Sequence, residues 1–373
     1  MCSMWRTDNS YFVNTDESSN IIVTKVAPVN EAVEDLLKPV TSAFDKSDLS
    51  YFAPFSYANY KGMQAEYDTE TLGANTSFNV AIAKFNELAS ANSGYITKED
   101  LGVSSDGTNH IFSYTLIPKT LNYSAKKLPT IIIVAGQHGF EKASVYGLYY
   151  FLKDLCEKWY ENSVLDYIRN HVCLKVIPIA NPYGFNNNSY LNANGVNLNR
   201  NYDTSGFPAF PNAVAGEDNY GGESAFSELE TQHIRDFVLE NLDASFLIDF
   251  HTNGRTSVAE YSKVNWLDFP AFKDEYRLKF IELAYSHTEN ITAHFKRDYS
   301  LNTSEMCGSI TNGVDYGANF PSLDAWANTK NVVGHCFEGF AGFPNGGDYD
   351  ANCLKANSEL IGNWLGYVLA VLT

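Results

Sequence analysis

The sequence predicts an α/β layer fold with a mixed or mainly parallel central sheet. From about residue 77 onward, apolar runs of strand length alternate with segments of helical periodicity, which is typical of layered α/β proteins. The chain has 373 residues, of which 45% are hydrophobic and 19% charged, so it is long and apolar enough to form a substantial core.

The individual elements follow from these patterns. Ile82, Phe85 and Leu88 recur at helical spacing and predict an amphipathic helix over 78–90. The continuous apolar run at 130–135 predicts a strand buried on both faces. The same reasoning gives further strands at 111–117, 173–180, 244–250 and 332–338, and helices at 143–155, 227–242, 271–287 and 354–372.

The first 70 residues differ from the rest and carry no catalytic pattern. They contain a predicted short strand at 20–26, a helix at 30–44 and an aromatic loop at 51–60. We therefore expect two regions, an N-terminal extension over 1–70 and a catalytic domain over 71–373. An inhibitory pro-segment, an oligomerisation segment and a layer packed on the second region are all open for the extension, and the packed layer is our default.

Charge and targeting signals restrict the class of partner. With 26 Lys and Arg against 44 Asp and Glu, the formal net charge is −18, which disfavours nucleic acid and anionic membrane surfaces. The N-terminal sequence has no basic segment followed by an apolar run, so we expect no signal peptide and a cytoplasmic location. Secretion or association with a particle stays open if a leader was trimmed or export is leaderless. No oligomeric state is predicted.

Polar residues follow three of the buried strands. His138 and Glu141 come after IIIVAG, His251 follows FLIDF, and VVGHCF ends on Glu338. Ligands of open α/β sheets bind beyond the carboxyl ends of the strands, so these side chains are expected at one edge. Two imidazoles, a carboxylate and a water form an open zinc site, which makes His138, Glu141 and His251 candidate ligands.

The order of the motifs resembles that of a known family. AGQHGFE, NPYGF, NANGVNLNRNY, IDFHTNG and DYGANFPSLDAW occur in turn, and Tyr316, Asp324 and Glu338 are separated by eight and fourteen residues. Across about 77–373 this pattern resembles the zinc carboxypeptidases, the carboxypeptidase A-like enzymes of family M14. The resemblance implies a mixed, mainly parallel central sheet with helices on both faces.

The resemblance also implies the roles of the residues at the metal. His138, Glu141 and His251 would hold one Zn²⁺ per chain. Glu338 would be the general base that accepts a proton from the attacking water and passes it to the leaving amine, as a carboxylate beside a metal can.

Substrate binding is assigned in the same way. Asn199 and Arg200 would bind the terminal carboxylate of a peptide, for which a guanidinium offers two parallel donors. Tyr316 would close over the substrate. Leu323, just before Asp324, would lie in the side-chain pocket and favour an apolar or aromatic C-terminal residue over a basic one.

Two positions depart from the family pattern. Relatives often carry an oxyanion-stabilising Arg shortly before the NANG element, whereas this chain has NNNSYLNANG, with Tyr190 near the expected place. We interpret Arg255, four residues after His251, as a replacement from another loop. Many relatives also have Asp where this chain has Asn197, an Asp that orients a zinc-binding imidazole.

The predicted function is therefore that of a zinc metallocarboxypeptidase acting on peptides with a free C-terminal carboxylate. Three alternatives stay open: a peptidase acting on peptidoglycan stem peptides, an N-acyl amino acid deacylase, and an inactive zinc-binding structural or assembly protein.

Overall fold

The chain divides into two units, Met1–Phe44 with Lys119–Leu128 and Asp45–Pro118 with Pro129–Thr373. The structure is a computed structural model. It describes residues 5–7, 11–15, 21–25, 60–118, 129–252, 320–339 and 351–372. The predicted helices at 30–44 and 271–287, and residues 51–59 of the predicted aromatic loop, lie outside these residues.

The described part of the first unit is a three-stranded antiparallel sheet. Its strands are β1 (Trp5–Thr7), β2 (Tyr11–Thr15) and β3 (Ile21–Lys25), and β2 lies in the centre. Strand β3 corresponds to the predicted strand at 20–26. The other two strands were not predicted from the sequence.

The second unit combines a six-stranded sheet with helices. The strands are β4 (Ile96–Val103), β5 (His110–Leu116), β6 (Thr130–Ala135), β7 (Cys173–Ile177), β8 (Phe246–Thr252) and β9 (Val333–Gly339). The helices are α1 (Phe78–Ala91), α2 (Lys142–Glu157), α3 (Ser163–His171), α4 (Pro182–Asn187), α5 (Leu229–Leu239), α6 (Leu323–Thr329) and α7 (Ala351–Leu372). Within the described residues, no helix is both long and apolar enough to cross a membrane.

The sheet of the second unit has the order β4-β5-β7-β6-β8-β9. Strands β7, β6, β8 and β9 run parallel to one another, and β5 joins them antiparallel to β7. The predicted mixed, mainly parallel sheet is therefore confirmed. Because β6, β8 and β9 are parallel, their carboxyl ends lie at the same edge, and His251 is directly opposite Glu338.

Helices cover both faces of this sheet. On one face, Ile132 and Leu247 belong to a buried cluster with Phe237 of α5 and Trp326 of α6. On the other face, the ring of Phe337 stacks on Trp364 of α7, with ring centroids 5.7 Å apart. Burial on both faces explains why the central strands have apolar sequences rather than alternating ones.

Local signals explain where several elements begin and end. Asn162 begins α3 by accepting a hydrogen bond from Val164 N at 2.9 Å. The predicted strand at 173–180 ends at Ile177 because Pro178 follows and cannot donate to the ladder. Strand β4 was missed, since its sequence ITKEDLGV is largely polar and half of its residues are exposed.

Residues just before the expected boundary at 70 bond to the helices of the second unit. The Tyr60 hydroxyl donates to Asp154 Oδ2 at 2.6 Å. Its backbone N–H donates to Asn363 Oδ1 at 2.9 Å, and Met63 N donates to Asp154 Oδ2 at 2.8 Å. This stretch is therefore part of the structure that positions α2 and α7.

Candidate metal centre

One turn and strand β8 bring three candidate ligands together. His138 and Glu141 lie in the turn between β6 and α2, and His251 lies near the end of β8. His138 Nδ1 is 2.9 Å from Glu141 Oε1, and His251 Nδ1 is 2.9 Å from Glu141 Oε2. The side chains are buried, and their ligand atoms all lie within 4.8 Å of one another.

The turn that carries the first two ligands is fixed by a close backbone approach. Glu141 N donates to His138 O at 3.1 Å, which tightens the turn. Gly139 lies against the backbone of Gly184 in α4, where a Cβ would overlap it. The direct contact between the HGFE and NPYGF motifs thus requires glycine at 139, whereas a Cβ on Gly184 would overlap the side chain of Asn181.

Charges within the cluster compensate one another. Burial alone raises the pKa of Glu141, but the imidazoles of His138 and His251 outweigh it and lower the pKa. Burial alone lowers the pKa of His251, but the carboxylates of Asp249 and Glu141 raise it well above the ordinary value. The carboxylates therefore favour a positive charge at this point, and a divalent cation would satisfy the same requirement.

Each imidazole turns its second nitrogen toward a fixed partner. His138 Nε2 is 3.1 Å from Asn197 Oδ1, and His251 Nε2 is 2.9 Å from Asp249 Oδ1. Both Nδ1 atoms are left facing Glu141. Two histidines and a glutamate with hydrogen-bonded outer nitrogens form a set of donors that suits zinc, so the residues present fit the expected ion.

Glu338 extends from β9 beside this cluster. It is partly buried and pairs with His251 in the sheet register. Burial raises the pKa of Glu338 and the Glu141 carboxylate adds to the rise, whereas His251 lowers it. A cation held by Glu141 would offset the repulsion between the two carboxylates and lower the pKa of Glu338 toward a range suited to proton transfer.

The proposed carboxylate-binding residues lie on a short 3₁₀ turn, Leu198–Arg200. Asn199 is buried, and its Oδ1 accepts a hydrogen bond from Leu323 N at 2.9 Å. Arg200 Nη1 donates to Asn199 O at 2.8 Å, and its guanidinium carbon is 4.6 Å from the Phe320 ring centroid. The side chain of Leu323 is fully buried in the core cluster.

Tyr190 is more closely involved with the centre than the sequence indicated. Its ring stacks on His138 with centroids 3.7 Å apart and an interplanar angle of 21°. In the sequence, Tyr190 stands out only because it is near the expected position of the absent Arg. Arg255 and Tyr316 lie outside the described residues, so their predicted roles stay predictions.

Two residues of the centre were missed by the sequence reasoning. Asp249 and Gln137 flank the ligand motifs, and Gln137 Nε2 donates to Asp249 Oδ1 at 2.7 Å. A signal for Asp249 was present, because it precedes His251 by two residues and so lies on the same face of the strand. Gln137 carries no comparable signal.

The protein is therefore an α/β protein that carries a candidate mononuclear metal centre, formed by two histidines and a glutamate at one edge of its sheet. The zinc carboxypeptidase model of peptidase family M14 matches residues 82–339, and the chain therefore belongs to this family of zinc-dependent metallopeptidases. Carboxypeptidases of this family act on peptide substrates.

Individual relatives are distant. Carboxypeptidase SOL1 of Arabidopsis thaliana is 23% identical over 214 residues, which cover 56% of this chain and 38% of that protein. The chain thus matches well under half the length of this relative. Carboxypeptidase A of Helicoverpa armigera superposes with a TM-score of 0.59 at 18% identity, covering 80% of this chain and 73% of that one. Thrombin-activatable fibrinolysis inhibitor gives 0.57 at 15% identity, with the same coverages of 80% and 73%. At these identities the superpositions show the shared fold.

Proposed function

We propose that the protein is a zinc-dependent metallocarboxypeptidase that hydrolyses the C-terminal peptide bond of peptides. One observation carries the proposal: the Nδ1 atoms of His138 and His251 both face the carboxylate of Glu141, at 2.9 Å each. Glu338 stands across the strand pair from His251. The three donors and the nearby carboxylate are the parts that metal-assisted hydrolysis requires.

In this proposal the ion supplies Lewis acidity, which acidifies a water and polarises a carbonyl. Glu338 accepts a proton from the attacking water and delivers it to the leaving amine. The position of Glu338 on β9 supports this role, because the strand pairing holds its backbone opposite a candidate ligand.

Arg200 and Asn199 bind the terminal carboxylate of the substrate in this scheme. The guanidinium of Arg200 lies close enough to the centre for its charge to lower the pKa of both His138 and Glu338. A planar fork of donors is suited to a carboxylate. Two further roles complete the proposal and rest on the resemblance: Tyr316 closes over the substrate, and Arg255 supplies the oxyanion-stabilising charge. The resemblance also assigns Leu323 to the side-chain pocket, but its side chain is fully buried in the core cluster, so the structure gives that assignment no support.

The substrate class is proposed to be peptides with an apolar or aromatic C-terminal residue. The net charge of −18 disfavours acidic peptides by repulsion. We propose residues 1–70 as an accessory extension to a catalytic domain at 71–373. The bonds of Tyr60 to α2 and α7 support the idea that the end of this extension packs on the domain.

The experiment is metal analysis followed by turnover on two series of compounds. Purified protein is expected to contain one zinc per chain and to release the C-terminal residue from N-blocked dipeptides. A chelator should abolish release, and added zinc should restore it. Faster turnover of N-acyl amino acids would favour a deacylase instead. Protein that neither contains nor takes up zinc would contradict the proposal and favour a structural role.

A further inference from the structure

A buried carboxylate stands behind the candidate ligand His251. Asp249 is 0% exposed and His251 1%, and their spacing of two residues places both on the same face of β8. Asp249 Oδ1 lies 2.9 Å from His251 Nε2, while His251 Nδ1 lies 2.9 Å from Glu141 Oε2. The imidazole is therefore held between two carboxylates, one at each nitrogen.

Asp249 is itself held in place by a chain of hydrogen bonds. Gln137 Nε2 donates to Asp249 Oδ1 at 2.7 Å, and Gln137 Oε1 accepts from the Tyr202 hydroxyl at 2.8 Å. Since Gln137 directly precedes His138, this chain ties the strand of one candidate ligand to the turn of another. A carboxylate fixed in this way can orient an imidazole ring.

A His251 ring that binds a cation carries one proton, and the neighbours of Nε2 decide which nitrogen holds it. Asn199 Nδ2 lies 3.2 Å from Nε2 and would donate to it if that nitrogen carried no proton. The proton would then sit on Nδ1, facing Glu141, and would block the lone pair needed by a metal. The nearer and charged Asp249 requires the proton on Nε2, which leaves Nδ1 free to coordinate.

Folding stability does not explain a carboxylate at this position. Asp249 Oδ2 accepts no hydrogen bond from the described residues, and an unpaired buried carboxylate oxygen costs free energy. A second buried acid is nearby, because the charge of Asp249 contributes to the raised pKa of Asp324. Besides the hydrogen bond from Gln137, the favourable interaction that the structure offers Asp249 is its attraction to the imidazole, or to a cation bound to it.

The other imidazole lacks such a carboxylate for a reason that the structure makes clear. Asn197 Oδ1 faces His138 Nε2 at 3.1 Å, while its Nδ2 donates to Asp218 O at 2.7 Å. An aspartate here would place an oxygen against that carbonyl oxygen and repel it. The loop therefore requires the amide at 197, and the charged partner stands instead behind His251.

We propose that Asp249 is the positioning residue of the metal centre: its carboxylate keeps the proton of His251 on Nε2, so that Nδ1 binds the divalent cation. The inference rests on the proposed zinc site and adds to it a partner outside the ligands themselves. Loss of such a partner typically weakens metal affinity by about 10–100-fold.

The test measures Zn²⁺ affinity of the full chain by competition with a chromophoric chelator, after removal of bound metal. Asp249→Asn is compared with the wild type and with Asp166→Asn, which alters a buried aspartate on α3 outside the centre. We expect Asp249→Asn to bind Zn²⁺ at least about tenfold more weakly and to change the visible absorption of bound Co²⁺. Asp166→Asn should match the wild type in both.

The outcomes separate this inference from the proposed function. A folded Asp249→Asn variant with wild-type affinity and an unchanged Co²⁺ spectrum would overturn the role of Asp249 alone. A wild-type protein without zinc affinity would overturn both. If Asp249→Asn does not fold, Asp249→Ser is measured in its place, and loss of the fold in both variants would assign Asp249 to structure and reject the positioning role.

Discussion

Replacing Arg200 with alanine tests how the protein recognises its substrate. The guanidinium is held by its donation to Asn199 O at 2.8 Å and by the Phe320 ring 4.6 Å from its central carbon. Two hydrogen bonds from it to a substrate carboxylate would contribute about 1.5–3 kcal/mol each. Their loss therefore predicts a fall in kcat/KM of about a hundredfold or more. For a substrate ending in a carboxamide, the fall should be much smaller, because the charge is absent.

The assay compares kcat/KM for a matched pair of N-blocked dipeptides, one with a free carboxylate and one with a carboxamide. Arg235→Ala is the control, because Arg235 lies on α5 and pairs with Asp236 at 2.7 Å. It should leave both values unchanged. If Arg200→Ala lowered kcat/KM equally for the carboxylate and the carboxamide, Arg200 would not be the carboxylate-binding residue.

Three further predictions concern proton transfer, pH and the N-terminal segment. Glu338→Gln should lower kcat by about 10²–10⁴-fold while zinc affinity stays near the wild-type value; equal losses of both would make Glu338 a ligand. Burial raises the pKa of Asp166 to about 6, so the folded state binds more protons than the unfolded state between about pH 4 and about pH 6, and stability falls with pH across that window. Asp166→Asn removes this cost. The difference in free energy of unfolding between the variant and the wild type should therefore rise in favour of the variant by about 1–2 kcal/mol as the pH goes from about 4 to about 7.5, after allowance for solvent screening. A difference in urea unfolding that does not change with pH would refute this. Tyr60→Phe removes a 2.6 Å hydrogen bond to Asp154 and should lower the free energy of unfolding by about 1–3 kcal/mol, whereas an unchanged value would show that the bond contributes nothing.

Much of the fold was predictable because the central strands are buried on both faces. Strand β6 was predicted with its observed bounds from the run TIIIVA alone. The exposed strand β4 and the short helix α4 were missed, since neither contains enough apolar residues to show a period. Helix α4 depends instead on Asn181, whose Oδ1 accepts from Gly184 N at 2.8 Å.

The candidate centre was predictable in its ligands but not in their surroundings. Positions after buried strands pointed to His138, Glu141 and His251, and the structure places them within reach of one metal. The partners of their outer nitrogens depend on contacts between distant segments. No pattern in the sequence links Asp249 to the amide of Gln137, and neither the packing of Leu323 in the core nor the Asp218 contact of Asn197 follows from spacing.

The most direct test of the account is zinc-dependent release of phenylalanine from an N-blocked dipeptide. The account predicts that wild-type protein releases it, that removal of zinc by a chelator stops release, and that one equivalent of zinc per chain restores it. Zinc bound at one equivalent without any release from carboxylate-ended peptides would contradict the assignment as a carboxypeptidase.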